Sequence, residues 1–370
     1  MTRFLSHKIR FYSFACIALL LFVHGYNLNE TYLVSFSLVD EPLTFTTFFE
    51  YFIANGILRF RIPLLFLISG YIFAMQDKRP YKERIKKRFT TLLIPYFLWS
   101  AIGIGITILF LQFPVTKDAV VAAQLDQMGS KTLYTEMSWH DLLIRWTIAP
   151  VSFQLWFIRS LFIYNLFYPA IKWVVTKYPK VWFGVLTIGW IVGFAFFFIE
   201  SMGLLFFSLG VWLKKMEINV EKPPKWFSHY LSWLFFIGLC VIRTFLAFET
   251  DNSDESYSHA PVFILLYISS AVSGILAIWF SADAVVKWFI QKKWFIWSSS
   301  FAFFVFGLHV PLLPYITRIF YHYLNDVPNY RLITYIVAPC TVFIYCIAMG
   351  AIIRNYLPRL YNLLTGGRGI

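Results

Sequence analysis

Apolar residues in this chain come in long, nearly unbroken runs separated by short polar segments, rather than in the alternating or three-four spaced stripes of a half-buried surface. A helix rises about 1.5 Å per residue and the hydrocarbon core of a bilayer is about 30 Å thick, so about 17–25 apolar residues suffice to cross it. Runs of this kind lie at about 11–26, 52–75, 89–113, 153–176, 181–199, 202–213, 226–248, 262–282, 297–320 and 332–353, the sixth being short. They predict an all-α integral membrane protein, a polytopic bundle of about ten transmembrane helices. A single transmembrane domain is expected over residues 1–370, ending in a short tail at 354–370.

Composition agrees with this class. Hydrophobic residues make up 59% of the 370 and charged residues 14%, too few polar groups to cover a soluble globule of this size. The N-terminal segment starts basic, with Arg3, Lys8 and Arg10, and turns apolar from Phe11 to Val23, as a secretory signal does. No small-residue cleavage site follows, so it reads as a retained first helix. Cys16, Cys240, Cys340 and Cys346 fall in apolar segments at no metal-binding spacing, so neither a disulfide framework nor a metal site is expected.

The net charge of +13 would suit a nucleic-acid partner, but its distribution points to a membrane. Most of the 32 basic residues lie on alternate loops, the densest being Lys78-Arg79-Pro80-Tyr81-Lys82-Glu83-Arg84-Ile85-Lys86-Lys87-Arg88. Glu30, Asp40, Glu41, Asp118, Asp126, Glu136, Asp141, Glu249, Asp251, Asp254, Glu255 and Asp326 collect on the other side. This positive-inside asymmetry places both termini in the cytoplasm, with membrane lipids as partners and no nucleic acid.

Against that background, ionisable residues within the apolar runs stand out. Arg59 and Arg61 interrupt the run from Gly56 to Ala74, and a guanidinium at the bilayer centre costs at least about 2.5–3.5 kcal/mol. A partner, a watered cavity or an anionic ligand must offset that cost. His24, Arg159 and His309 pose the same problem in other runs. Counted from the inner ends of their helices, His24, Arg61, Arg159 and His309 lie about 18–26 Å up, with Arg59 a turn or less further out. This layer, in the outer half of the membrane, is the candidate site.

Four stretches then occur in a telling order: Ala18 to His24; Ile62 to Tyr71 followed by Lys86 to Tyr96; Leu155-Trp156-Phe157-Ile158-Arg159-Ser160-Leu161; and Ser299 to Pro311 with Gly307-Leu308-His309-Val310-Pro311. In these the chain resembles the membrane-bound acyltransferase-3 family of bacterial carbohydrate O-acyltransferases. The resemblance implies a bundle of about ten helices in the bacterial cytoplasmic membrane. Such a protein moves an acyl group, usually acetyl from acetyl-CoA, to a hydroxyl of a cell-envelope glycan. It further implies acetyl-CoA or another acyl-CoA as donor substrate, with no permanently bound cofactor. Ser13 and Thr91 depart from the pattern, since family members usually carry arginines at those positions.

The chemistry gives His24 a role of its own, because a sugar hydroxyl is a poor nucleophile near neutral pH and a positioned imidazole can take its proton during attack on a thioester. Arg59, Arg61 and Arg159 suit the stabilisation of the resulting oxyanion or of an anionic part of the donor, with Arg61 and Arg159 the catalytic and Arg59 the substrate-binding candidates. The plainer alternative for His24 is a buried ring bonded to a helix carbonyl. His309 is a further catalytic candidate, although its Gly-Leu-His-Val-Pro context also suits a broken helix whose histidine satisfies freed carbonyls. Arg84, Lys87 and Arg88 are candidates for the CoA phosphates as well as topology signals, and Trp156 joins the substrate-binding candidates.

Ser69-Gly70 reads as close helix packing before it reads as a nucleophile, and no Gly-x-Ser-x-Gly elbow is present. In the outer loop from Val115 to Thr147, Tyr134, Trp139, His140, Asp141 and Trp146 offer sugar stacking or interface anchoring. Asn29-Glu30-Thr31 has the form of a glycosylation acceptor. The leading expectation is an O-acyltransferase; the alternative is a membrane transporter of a polysaccharide intermediate or organic anion, which an arginine-lined interior would also serve.

Overall fold

The computed structural model describes residues 1–26, 39–123, 125, 133–196, 198–249 and 256–369. Asn29-Glu30-Thr31, Asp126, Asp251, Asp254 and Glu255 lie outside the described residues. The helices are α1 (Arg3–His24), α2 (Phe45–Tyr51), α3 (Arg61–Met75), α4 (Tyr81–Arg88), α5 (Ile94–Phe110), α6 (Pro114–Ala123), α7 (Trp139–Thr147), α8 (Trp156–Leu166) and α9 (Tyr168–Lys177). They continue as α10 (Pro179–Ile191), α11 (Ser201–Lys215), α12 (His229–Glu249), α13 (Ser256–Ser281), α14 (Asp283–Ile290), α15 (Lys293–Ser299), α16 (Ala302–Leu324), α17 (Tyr330–Tyr356) and α18 (Pro358–Thr365). Among the described residues the only strands form a two-residue antiparallel hairpin, β1 (Ala195–Phe196) with β2 (Ile199–Glu200).

Among the described residues, seven helical stretches are long and apolar enough to cross a membrane: Arg3–His24, Phe45–Met75, Tyr81–Phe110, His229–Glu249, Pro261–Ser281, Ala302–Leu324 and Tyr330–Tyr356. The other three runs expected from the sequence are helical but shorter. The run over 153–176 is divided between α8 and α9 at Phe167, just before Pro169. α10 has 13 residues and α11 has 15, about 20–23 Å by helical rise against a core of about 30 Å.

The chain divides into two compact units, one of residues 1–16, 33–88 and 159–296 and the other of 17–32, 89–158 and 297–370. In the first, α3 lies against α11 at backbone-contact distance. A Cβ on Gly70 would stand 2.0 Å from the Phe207 carbonyl oxygen, and one on Gly210 2.0 Å from that of Leu67. Only glycine permits this approach. Beside it, Ser69 Oγ donates to Leu65 O at 2.7 Å, one turn back along α3, in keeping with the packing role read for Ser69-Gly70.

The stretch Phe45–Met75 is one span with an irregular middle. Thr44 and Thr47 form a reciprocal capping box that starts α2. A π-helical turn at Phe52–Gly56 and a 3-10 turn at Ile57–Phe60 then separate α2 from α3. Such irregular turns re-aim backbone carbonyls and side chains, and Arg59 and Arg61 lie on and just after this one.

In the second unit α16 packs on α17, with α5, α6 and α18 also against α16. Leu111, Val120, Val151, Val310 and Tyr315 form part of a buried apolar cluster, and Thr107 Oγ1 meets Tyr315 Oη at 2.8 Å inside it. Gly307 is fixed by packing, since a Cβ there would come within 2.2 Å of the Trp99 indole on α5.

Candidate active site

The second unit brings two of the sequence candidates together. His24 ends α1, His309 lies within α16, and His24 Nδ1 stands 3.0 Å from His309 Nε2 with the rings nearly parallel. His309 is fully buried and His24 half-buried. His309 Nδ1 lies 3.0 Å from Val305 O and 3.1 Å from Phe306 O. Carbonyls only accept, so Nδ1 of His309 carries the hydrogen. With both rings neutral, His309 Nε2 is then an acceptor, His24 Nδ1–H donates to it, and the basic lone pair of His24 lies on Nε2.

The helix break beside this pair has a cause in the sequence. Pro311 and Pro314 lack the N–H groups that would serve the carbonyls four residues back, those of Gly307 and Val310, and Val310 itself leaves helical geometry at φ −113°, ψ 131°. Side chains before α8 make good the loss. Gln154 Nε2 donates to Phe306 O and Gly307 O, both at 3.2 Å, and to Val310 O at 3.4 Å, while Ser152 Oγ donates to Val310 O at 2.8 Å. Between them, Phe153 packs against the His24 ring at 4.8 Å between centroids. The 152–154 segment therefore fixes both the break and the ring. Trp156, the first residue of α8, lies edge-on to Phe157 at 6.2 Å.

The arginine candidates belong to the first unit. Arg61 is buried, its Nε donating to Leu58 O at 2.6 Å and its NH1 to Cys16 O at 3.3 Å. Arg59 donates to Asn55 Oδ1. The Arg159 guanidinium lies 3.7 Å from the centroid of Phe198, in the hairpin between α10 and α11. Neighbouring side chains hold that hairpin to α8: Ser160 Oγ donates to Phe198 O at 3.0 Å and Tyr164 Oη to Glu200 O at 3.1 Å. Burial pushes the Glu200 carboxyl up, and the charge of Arg159 offsets part of the rise.

The basic segment is not uniform. Arg84 is buried, donating to Asp77 Oδ1 at 2.9 Å and Phe73 O at 2.7 Å, with its guanidinium 4.0 Å from the Phe73 ring and 4.7 Å from the Tyr168 ring. Asp77 also receives Tyr168 Oη at 2.7 Å, Lys172 at 3.0 Å and Lys215. Burial by itself would raise the Asp77 carboxyl, but the bonds from Lys215, Tyr168 and Lys172 outweigh it and hold the group well below the usual carboxylate range. Arg84 is thus committed to an internal ion cluster, whereas Lys87 is exposed and Arg88 half-exposed, 5.2 Å from the Phe73 ring centroid.

In the segment over 115–147, Tyr134 is buried with Val151 and Tyr315, and Trp146 Nε1 donates to Phe97 O at 2.8 Å. Ser138 caps α7 and donates to Asp141 Oδ2 at 2.7 Å. Trp139, His140, Asp141 and Trp146 are exposed. At Thr91, Arg368 NH1 donates to the backbone carbonyl at 2.7 Å. Pro95, four residues on, has no N–H to offer that carbonyl.

Sequence reasoning missed Ser152, Gln154, Asp77, Glu50 and Arg243. Arg243 is fully buried on α12, 5.2 Å from the Tyr267 ring centroid, and Glu50 is fully buried on α2. Arg243 sits in the apolar run over 226–248, so the signal that singled out Arg59 was present there too. Asp77 carried no such signal, because an acid at the edge of a basic loop looks like solvated surface.

Long apolar helices and paired imidazoles in a buried setting define a multi-pass membrane protein with a polar, chemically capable interior. The chain belongs to the acyltransferase-3 family, whose model, described as an acyltransferase domain, matches residues 13–353. It is 22% identical over 332 residues to a succinoglycan biosynthesis protein, ExoH, of Rhizobium meliloti (strain 1021), covering 86% of this chain and 81% of that protein. No solved structure matches the chain.

Proposed function

We propose that the protein transfers an acetyl or other short acyl group from acyl-CoA to a hydroxyl of a cell-envelope or extracellular glycan, with His24 as general base and His309 as its orienting partner. The observation that carries this reading is the 3.0 Å contact between His24 Nδ1 and His309 Nε2, backed by two carbonyls on His309 Nδ1. It is the base–orienter arrangement that activates a weak oxygen nucleophile. Membership in an acyltransferase family favours group transfer over anion transport, and similarity to a succinoglycan biosynthesis protein supports a glycan acceptor.

In this reaction the hydroxyl oxygen attacks the thioester carbonyl as its proton passes to His24 Nε2. The tetrahedral intermediate collapses with cleavage of the C–S bond, and the proton moves from His24 to the leaving thiolate. Arg61 and Arg159 are proposed to support the developing oxyanion, Arg59 and Trp156 to bind substrate, and Lys87 and Arg88 to hold the CoA phosphates. The test is incubation of the purified protein in lipid bilayers with labelled acetyl-CoA and a glycan pool. Label transferred to glycan, and lost in His24→Ala, supports the proposal; glycan or anion flux without donor turnover overturns it.

A further inference from the structure

The first unit contains an apolar cavity of about 310 Å³ that the acyl-transfer reading does not use. Four helices wall it, through Ile9 on α1, Ile68 on α3, Leu209 on α11 and Ile275 on α13. The segment joining α11 to α12 closes one end and is fastened in place, for Trp279 Nε1 donates to Val220 O at 2.7 Å and Thr2 Oγ1 to the Glu221 carboxylate at 2.7 Å. Exposed Asn219 and Lys222 from that segment form the rim.

Size, lining and charge together specify an occupant. The volume is at the low end of the range for ligand pockets, about 300–1,000 Å³. A water's share of liquid is about 30 Å³ and a methylene is of similar size, so the cavity has room for about ten methylenes. The lining is nearly all hydrocarbon. Tyr71, Asn219 and Lys222 are its polar members apart from the Trp279 indole, whose N–H is already bonded. The amide-rich arm of a CoA thioester would leave its polar groups unmatched there, whereas an alkyl chain would not.

The rim lies at a basic end of the unit. Lys214 closes α11 beside Lys215, whose charge is taken up by Asp77, and Lys222 and Lys225 follow, against Glu217 and Glu221, the latter hydrogen-bonded to Thr2. Such a rim favours an anionic headgroup. We propose that the cavity holds one acyl chain of an anionic phospholipid, with the lipid phosphate at Lys222, so that a membrane lipid is a specific ligand of this unit.

The experiment is native mass spectrometry of the full-length protein after delipidation. Phosphatidylglycerol or phosphatidylcholine of the same chain length is added back. The expected result is one phosphatidylglycerol retained per chain in preference to phosphatidylcholine. Leu209→Trp and Ile275→Trp, which fill the cavity from different helices, should each weaken retention about tenfold or more. Lys222→Gln should keep a bound lipid but lose the headgroup preference. Equal retention by wild type and both filled variants overturns the proposal, as does a wild type that retains the two lipids equally. Displacement of the lipid by acyl-CoA at this site would assign the cavity to the donor instead and also overturn it.

Discussion

His24 Nδ1 and His309 Nε2 stand 3.0 Å apart, and His309 Nδ1 faces the carbonyls of Val305 and Phe306. The two rings therefore have different duties: His309 is locked by the backbone of α16, and His24 presents its basic nitrogen away from the pair.

That division is testable. His24→Ala is expected to lower kcat by about 10²–10⁴ without loss of insertion or donor binding. His309→Ala, which removes only the orienting partner, should cost less, about 10–10². The pH profile of kcat should rise through an ionisation that is absent in His24→Ala and present but displaced in His309→Ala. Normal activity in correctly inserted His24→Ala would end the mechanism.

Arg61→Lys should impair both stability and activity. Its Nε and NH1 reach Leu58 O and Cys16 O, two carbonyls that a point-charge ammonium cannot serve in the same geometry. Loss of one charged hydrogen bond is expected to cost about 1.5–3 kcal/mol, measured by thermal melting in detergent. A lysine variant with wild-type melting and kcat would show the guanidinium to be dispensable.

Within the basic segment, Lys87→Ala and Arg88→Ala should raise the donor KM and weaken its salt dependence, leaving the acceptor KM unchanged. Arg84→Ala should instead lower the melting temperature, because its guanidinium belongs to the Asp77 cluster. Unchanged donor kinetics in Lys87→Ala and Arg88→Ala would leave these residues only a topological role.

Asp77 makes a pH prediction. Its folded carboxyl lies well below the usual range, so its contribution is fully present above the unfolded value of about 3.9 and is lost only as pH falls through the depressed folded value. Asp77→Asn should be less stable than wild type by about 1–3 kcal/mol, a range that allows for partial solvent screening. The difference should be flat from about pH 5 to 9 and shrink only in strong acid. A difference that varied across neutral pH would show that another group controls the cluster.

Topology is checked by cysteine labelling in a background lacking Cys16, Cys240, Cys340 and Cys346. Lys82→Cys should resist an impermeant external reagent and Trp139→Cys should react with it, both positions being exposed in the fold. External labelling at position 82 would invert the assignment of sides.

Run length and charge sign are properties of sequence alone, and they were sufficient to give an all-helical membrane protein. The same logic singled out Arg61 and His309, since a charge or imidazole in an apolar run needs a partner wherever the helix lies. The run that forms α11 is already short in the sequence, but the sequence did not reveal that α10 also falls short of a full span, because the apolar residues of the turn and hairpin after Ile191 extend the run without extending the helix. Nor did it pair His24 with His309, which are separated by 285 positions. It also gave no role to Gln154, whose carbonyl partners exist only because Pro311 and Pro314, far along the chain, leave them without donors. Which groups need partners is written in the chain; which partners they find depends on how the folded backbone brings distant segments within hydrogen-bonding distance, and only the tertiary structure decides that.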